Sequence, residues 1–213
     1  MLHVKTFTFN PVAENTYIVY NESNDAILID PGCYFPNEKQ QVLDYLKSND
    51  LNLVQLLNTH CHLDHVFGNK WVNETFGLEL FIHPNEEQVL SFAPQSGERW
   101  GLPFENYDGP LHFLQHNNII KLGNDEFKVL LTPGHSPGSI CFYNEEGKFI
   151  IGGDVLFRQS IGRTDLPGGN HEALLASIRE HLFTLPDDVT VYSGHGEKTT
   201  IGYEKRNNPF FQF

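Results

Sequence analysis

The chain has 213 residues, of which 39% are hydrophobic, and its formal net charge is −13 at pH 7. A chain of this length buries roughly 70% of its unfolded surface, so it can fold without a disulfide or a metal. The acidic balance and the lack of a basic run argue against nucleic acid binding, which depends on neutralising phosphates. No apolar run approaches the roughly 20 residues that span a bilayer, so a membrane partner is not expected.

The cysteines and the N-terminal segment indicate the compartment. Cys33, Cys61 and Cys141 are irregularly spaced and odd in number, which argues against a disulfide framework and favours a reducing cytoplasm. The first residues, MLHVKTFTFNP, have neither a charged head nor a continuous apolar stretch, so they do not resemble a signal peptide. We therefore expect a cytoplasmic protein, and the sequence leaves its oligomeric state open.

Strand and helix patterns are mixed along the whole chain. Apolar residues at Val4, Phe7 and Phe9 predict a first strand. Apolar runs rich in β-branched residues predict eight more, at Tyr17–Tyr20, Ala26–Ile29, Leu53–Leu57, Leu78–Ile82, Phe127–Leu131, Ile140–Tyr143, Phe149–Ile151 and Val189–Tyr192. Helical spacing predicts helices at Glu38–Ser48, Phe67–Phe76, Asn85–Phe92, His171–Leu182 and Thr200–Asn207, with a loop at Ala93–Pro110. Without a repeat or long linker, this pattern predicts one α/β (α+β) domain over residues 1–213.

Five of the predicted strands lead into a histidine or an aspartate, mostly beside glycine. Strands that lie side by side form a rigid platform, and the loops that leave them can converge on one point. The densest group is T-H-C-H-L-D-H at Thr59–His65. The polar residues that follow the five strands are Asp30, then His60, His62, Asp64 and His65, then His135, Asp154 and His195.

These side chains are typical of a metal site. Imidazoles and carboxylates without paired cysteines suit zinc, iron or manganese. Seven of them are candidate ligands, which is too many for one tetrahedral ion, and they suit two ions with a shared open position. The seven are His60, His62, Asp64, His65, His135, Asp154 and His195. Cys61 lies between His60 and His62, where the alternation of an extended chain points its side chain away from them.

These motifs, and their order along the chain, resemble those of the metallo-β-lactamase superfamily. The resemblance implies an αβ/βα sandwich, with two mixed sheets flanked by helices and the metals at one edge. It also implies a role for each matching residue. His60, His62 and His135 would hold the first metal, Asp64, His65 and His195 the second, Asp154 would bridge them, and Asp30 would orient the ligand loops.

Two segments resemble the glyoxalase II branch, the hydroxyacylglutathione hydrolases. They are GDVLFRQSIGRTDLPGG at Gly153–Gly169 and SGHGEKTTIGYEKRNNPF at Ser193–Phe210, and they match the short bacterial members best. The implied reaction is hydrolysis of a thioester such as S-lactoylglutathione by a hydroxide between two divalent ions, most simply zinc. Asp64 and Asp154 would take part in catalysis, with Asp64 both binding metal and orienting the hydroxide.

The chain departs from the long glyoxalase II enzymes in its substrate-binding segments. Those enzymes carry a lysine and a tyrosine where this chain has Arg163 and Asp165, and they continue past the Asn-Pro-Phe motif with basic glutathione contacts. Arg163, Lys205 and Arg206 are the residues that could pair with substrate carboxylates here. For Lys205 and Arg206, ordinary surface charge is an equally good interpretation.

Other functions on the same fold stay open. The segment GRTD at Gly162–Asp165 also resembles that of persulfide dioxygenases. This resemblance implies a single iron held by His60, His135 and Asp154. Lactonase or β-lactamase activity ranks third, and the net charge argues against a nuclease. A non-catalytic metal-binding scaffold is the weakest alternative, because every expected ligand is present.

Overall fold

The computed structural model describes residues 1–212, so Phe213, at the end of the predicted domain, lies outside the described residues. The described chain divides into two compact units. The first comprises residues 1–114 and 121–125, and the second comprises residues 115–120 and those from 126 onward. The single domain predicted from the sequence stays a prediction.

The first unit contains a six-stranded sheet in the order β1-β2-β3-β4-β5-β6. Its strands are β1 His3–Phe9, β2 Glu14–Tyr20, β3 Asp25–Ile29, β4 Asn52–Leu57, β5 Leu80–Ile82 and β6 Leu111–Phe113. The first three strands pair antiparallel, whereas β3 to β6 run parallel, so the sheet is mixed. Parallel neighbours end at the same edge of a sheet, and the loops after β3, β4 and β5 therefore leave from one edge.

Helices flank this sheet and close its apolar core. They are α1 Pro36–Ser48, α2 Leu63–Val66, α3 Asn69–Phe76, a 3₁₀ turn at Pro84–Glu86 and α4 Glu87–Trp100. The start of α1 is capped by the carboxylate of Glu38, which accepts the main-chain N–H groups of Tyr34 and Phe35 at 2.8 and 2.9 Å. Residues Ala26–Ile29 of β3 are all fully buried, which explains why that strand reads as a continuous apolar run.

The predicted loop at Ala93–Pro110 is wrong in its first half, because α4 continues to Trp100. The sequence suggests a break because Pro94 has no N–H to donate to the Leu90 carbonyl, four residues earlier. In the structure the side-chain amide of Asn106 donates to that carbonyl at 2.7 Å. A side chain distant in sequence thus replaces the missing hydrogen bond, and the helix tolerates its proline.

The second sheet has the order β14-β13-β10-β9-β8-β7. Its strands are β7 Ile119–Leu122, β8 Asp125–Leu131, β9 Ile140–Asn144, β10 Phe149–Gly153, β13 Thr190–Ser193 and β14 Thr199–Thr200, and a separate hairpin pairs β11 Leu156–Phe157 with β12 Ser160–Ile161. The helices are α5 His171–Ser177, which continues as a π-helical turn at Ile178–Leu182, then α6 Ile201–Asn207 and a 3₁₀ turn at Pro209–Phe211. Since β10 pairs parallel with β13 and antiparallel with β9, this sheet is also mixed.

Every predicted strand is present, and the five predicted helices all contain helix. The strands that the sequence did not indicate are short. For example, β6 and β7 each expose part of their length, so neither shows a continuous apolar run. Cys33, Cys61 and Cys141 are buried thiols rather than halves of disulfides. Across residues 1–212, no helix has both the length and the apolar character that a membrane span requires.

Candidate metal centre

The histidine-rich loop of the first unit follows β4 and ends in the short helix α2. His60 and His65 are buried, and their ring centroids lie 4.1 Å apart. The ring of His62 lies 4.8 Å from that of His60. The Asp64 carboxylate completes the group, with Oδ2 at 3.6 Å from Nε2 of His65. The four candidate ligands that lie close together in sequence are therefore close together in space.

Asp30 is the acceptor at the centre of this loop. It follows β3, is fully buried, and adopts a left-handed backbone conformation with φ of 50°. Its carboxylate accepts the Thr59 N–H at 2.7 Å, the Thr59 hydroxyl at 2.6 Å and the Asn58 side-chain amide at 3.1 Å. Nδ1 of His65 lies 3.1 Å from Oδ2 of the same carboxylate. Asp30 thus holds both the main chain and one ring of the loop.

These hydrogen bonds fix which ring nitrogens carry protons. Since a carboxylate only accepts, Nδ1–H of His65 donates to Asp30, which leaves Nε2 as the ring atom that can bind a cation. The Thr59 hydroxyl gives its proton to Asp30, so it accepts from Nδ1–H of His60 at 3.1 Å. Nε2 of His65 lies 3.6 Å from Oδ2 of Asp64. A cation could bind between this ring nitrogen and the carboxylate oxygen.

One oxygen or nitrogen each from Asp30, His60 and His65 lies within 4.8 Å of the others, a spacing that a metal could use. Both Asp30 oxygens, however, already accept hydrogen bonds from Thr59. We therefore assign Asp30 to the support of the histidines rather than to the ligand set.

Glu14 is a second acid in this region, and sequence reasoning missed it. Its side chain is fully buried, and burial raises its pKa well above the ordinary range. Oε2 accepts the Thr16 hydroxyl at 2.9 Å, and Oε1 lies 3.8 Å from Nδ1 of His65. Gly32 is required beside it, because a Cβ there would lie 1.9 Å from the Glu14 carboxylate. The signal that could have indicated Glu14 is its acidic side chain within the otherwise buried strand Glu14–Tyr20.

Glu86 is a third buried acid that the sequence did not indicate. It ends the 3₁₀ turn after β5, and its Oε2 accepts the main-chain N–H of Cys61 at 2.8 Å. The Cys61 side chain belongs to the hydrophobic core of the first unit, as its predicted orientation requires. Burial raises the pKa of this thiol well above its usual range, with Glu86 and Asp30 adding to the effect.

In the second unit, three candidate ligands also lie together. His135 follows β8, Asp154 follows β10 and His195 follows β13. Oδ2 of Asp154 lies 3.5 Å from Nε2 of His135 and 3.5 Å from Nε2 of His195. Nδ1 of His135 lies 2.8 Å from the carbonyl oxygen of Arg163, which can only accept. Nδ1–H of His135 therefore donates to that carbonyl, which leaves Nε2, on the side of Asp154, as the ring atom that can bind a cation.

The GRTD segment lies against Asp154 and leaves no room for a side chain at its first residue. A Cβ on Gly162 would be 1.9 Å from the carbonyl oxygen of Asp154 and 3.2 Å from Cβ of His135. The Gly162 N–H also donates to the carbonyl of Val155 at 3.2 Å. Glycine at this position thus allows the segment to reach the Asp154 main chain.

Each predicted substrate contact is paired with an acid of the chain itself. The half-exposed Arg163 binds Asp165 through two hydrogen bonds of 2.7 and 2.8 Å, and this guanidinium lowers the pKa of Asp165 to about 2. Lys205 and Arg206, in the last turn of α6, both bind Asp187, at 2.8 and 3.0 Å. Their role toward a substrate stays a prediction.

The model of the metallo-beta-lactamase superfamily matches residues 9–195. Hydroxyacylglutathione hydrolase GloC of Haemophilus influenzae is 39% identical over 98% of this chain and 98% of its own. A probable metallo-hydrolase of Bacillus subtilis, YqgX, is 36% identical over 94% and 93%.

Two solved structures are similar along nearly the whole chain. The BLEG-1 B3 metallo-beta-lactamase has a TM-score of 0.91 and 37% identity, covering 99% of this chain and 100% of its own. The di-iron-bound form of TTHA1623 has a TM-score of 0.88 and 37% identity, covering 97% and 100%. The resemblance and the fold expected from the sequence are thereby confirmed, including two mixed sheets flanked by helices.

Proposed function

Because the chain belongs to the metallo-beta-lactamase superfamily of metal-dependent hydrolases, we propose that it hydrolyses a thioester and binds two divalent cations. The observation that carries the proposal is the orientation of three histidine rings. His60, His65 and His135 each donate from Nδ1, which leaves Nε2 as the ring atom that can bind a metal. Buried imidazoles in this tautomer, oriented by carboxylates or carbonyls, are typical of metal ligands.

The proposed ligand sets are those that the family resemblance implies. His60, His62 and His135 would hold the first cation, Asp64, His65 and His195 would hold the second, and Asp154 would be shared. The equal distances from Oδ2 of Asp154 to two histidines support a shared ligand. Zinc is the cation we propose, and iron or manganese would accept the same nitrogen and oxygen donors. The di-iron form of a similar protein supports the number of two.

When bound, such cations acidify a water molecule and stabilise negative charge on the substrate carbonyl oxygen. Asp64 would orient the attacking water by accepting a hydrogen bond from it. Asp30 keeps His65 in the required tautomer, and the Arg163 carbonyl does the same for His135. The leaving thiol has an ordinary pKa of about 8.5, so its thiolate departs without a strong general acid.

The proposed substrate is S-lactoylglutathione or a related thioester. The name of the Haemophilus influenzae relative supports this class, as do the Gly153–Gly169 and Ser193–Phe210 segments. Arg163 is the proposed contact for a substrate carboxylate, because its guanidinium already binds a carboxylate in a bidentate geometry. A substrate carboxylate would then replace that of Asp165. Lys205 and Arg206 are weaker candidates, since one acid engages both of them.

The test is an assay of the purified protein with S-lactoylglutathione, with thiol release and bound metal measured on the same sample. We expect thioester hydrolysis and two metal ions per chain. A β-lactam assayed in parallel tests the third activity considered for this fold. Hydrolysis of the β-lactam without loss of the thioester would overturn the substrate assignment.

The GRTD segment also favours a second candidate, a persulfide dioxygenase with a single iron. In that enzyme class the iron would be held by His60, His135 and Asp154, and the GRTD segment that supports His135 resembles theirs. Oxygen uptake with glutathione persulfide, together with one iron per chain, would establish this activity instead. Thioester hydrolysis without oxygen uptake would exclude it.

A further inference from the structure

We propose that Glu86 is a positioning residue that directs His60 and His62 toward the metal by holding the main chain between them. The inference rests on the metal-binding part of the proposed function. Glu86 is fully buried, and its Oε2 accepts the Cys61 N–H at 2.8 Å. Cys61 is the one residue between the two histidines, so this hydrogen bond acts at the midpoint of the ligand pair.

The fold explains why a residue so distant in sequence reaches this amide. Strands β4 and β5 are parallel neighbours, with Leu57 opposite Phe81, and the Asn58 N–H donates to the Phe81 carbonyl at 3.0 Å. The loops that follow the two strands therefore start side by side. The chain after β5 turns at once into the 3₁₀ helix that ends at Glu86. This turn presents the carboxylate to the loop after β4.

The turn that carries Glu86 is itself well defined. Pro84 occupies its first position, and the His83 side chain accepts the Asn85 N–H at 3.2 Å. The Glu86 N–H donates to the His83 carbonyl at 2.9 Å. Because the main chain on either side of the carboxylate is fixed, its position does not depend on a flexible loop.

Cys61 is thus held on two sides. Its N–H binds Glu86, and its side chain packs in the core that also contains Val66, Leu90 and Ala93. With both anchors in place, the main-chain angles of the His60–His62 segment are restricted. Release of the amide would let the two rings move apart from their present separation of 4.8 Å. It would also leave a buried N–H without its acceptor.

Three variants at this position separate the hydrogen bond from the charge. Glu86→Gln keeps an acceptor oxygen at the same reach but removes the charge. Glu86→Ala removes both, and Glu86→Asp keeps the charge on a side chain one methylene shorter. The matched control is Glu87→Ala, since Glu87 is the next residue and is exposed. Metal dissociation constants are measured by competition with a chelator, and the Co²⁺-loaded proteins give visible spectra that report coordination geometry.

We expect Glu86→Ala and Glu86→Asp to weaken metal binding by about 10- to 100-fold, the usual cost of losing an outer support, and to change the Co²⁺ spectrum. Glu86→Gln should restore both properties to near the wild-type values, and Glu87→Ala should leave them unchanged. Equal losses in the Gln and Ala variants would overturn the inference in favour of a charge effect. Wild-type affinity in Glu86→Ala would overturn it outright.

The comparison of Gln with Asp remains decisive even if the Ala variant does not fold. The readout is metal binding, so it separates this inference from the proposed reaction. A wild-type protein that binds metal without hydrolysing thioesters would count against the substrate assignment alone. A wild-type protein that binds no divalent metal would overturn the metal site and the role of Glu86 together.

Discussion

The candidate ligands of the two units are supported in different ways. In the first unit, buried side chains hold the histidine loop: Asp30 binds Thr59, Asn58 and His65, while Glu86 binds the Cys61 amide. In the second unit, a main-chain carbonyl holds His135, and the side chain of His195 is 27% exposed.

The difference indicates two kinds of preorganisation. A loop held by several buried acids keeps its shape before metal binds, because each released hydrogen bond would leave a polar group buried without a partner. The group around Asp154 relies on the close approach of the GRTD main chain instead. We therefore expect removal of a polar side chain near the first group to cost stability as well as metal, and removal of a ligand side chain near the second to cost metal mainly.

The largest effect on function is expected for Asp154→Ala. The change removes the carboxylate that faces both His135 and His195, so metal content and thioester hydrolysis should fall by more than about 100-fold, beyond the usual cost of an outer support. The fold should be retained, because the change shortens one side chain after β10 and leaves the main-chain pairing of that strand with β9 and β13 in place. Elemental analysis measures the metal content, an activity assay measures thioester hydrolysis, and circular dichroism measures whether the fold is retained. Persistent activity would exclude Asp154 as a shared ligand.

Asp30→Ala is expected to lower the free energy of unfolding by about 3 kcal/mol or more, since several buried donors lose their acceptor at about 1–3 kcal/mol each. Urea denaturation of the metal-free protein measures this change. Asp30→Asn, which keeps one acceptor oxygen, is the control and should fall between wild type and the Ala variant. A loss below 1 kcal/mol in Asp30→Ala would contradict the central role of this carboxylate.

Gly162→Ala should cost about 1–3 kcal/mol, the usual cost of overpacking, and should weaken metal binding. Its Cβ would meet the Asp154 main chain at 1.9 Å, and a main chain cannot rotate away as a side chain can. Gly152→Ala is the matched control. There the nearest atom to a Cβ is 3.5 Å away, an ordinary contact, so both properties should be preserved. Equal stability of the two variants would contradict the close approach.

The smallest effect is expected for Asp165→Asn, because the ion pair with Arg163 is exposed. The pKa of Asp165 is lowered to about 2, so the pair stabilises the fold above the ordinary aspartate pKa of about 3.9 and loses this contribution as the pH falls toward 2. The difference in urea midpoint between wild type and variant should thus be slight at pH 7 and shrink further below pH 4. A difference that grows on acidification would contradict a lowered pKa of Asp165.

The strands and the candidate ligands could be predicted because their signals are local. A buried strand such as Ala26–Ile29 appears as an apolar run, and the ligand follows within a few residues. Glu14 and Glu86 could not be found in this way, since the loop residues that they approach, His65 and Cys61, lie far along the chain. The same is true of the Leu90 carbonyl, whose hydrogen bond from Asn106 lets α4 pass through Pro94. In each case a contact between distant residues overrides the local pattern.

The main-chain hydrogen bond from His135 to residue 163 has a consequence for how the protein can change. Any amino acid at that position supplies the same carbonyl, so the imidazole keeps its support whatever side chain stands there. The side chain of Arg163 is therefore open to variation without penalty to the imidazole beside it. A designed library at position 163 can therefore vary the side chain beside the proposed metal centre while the carbonyl that supports His135 is kept.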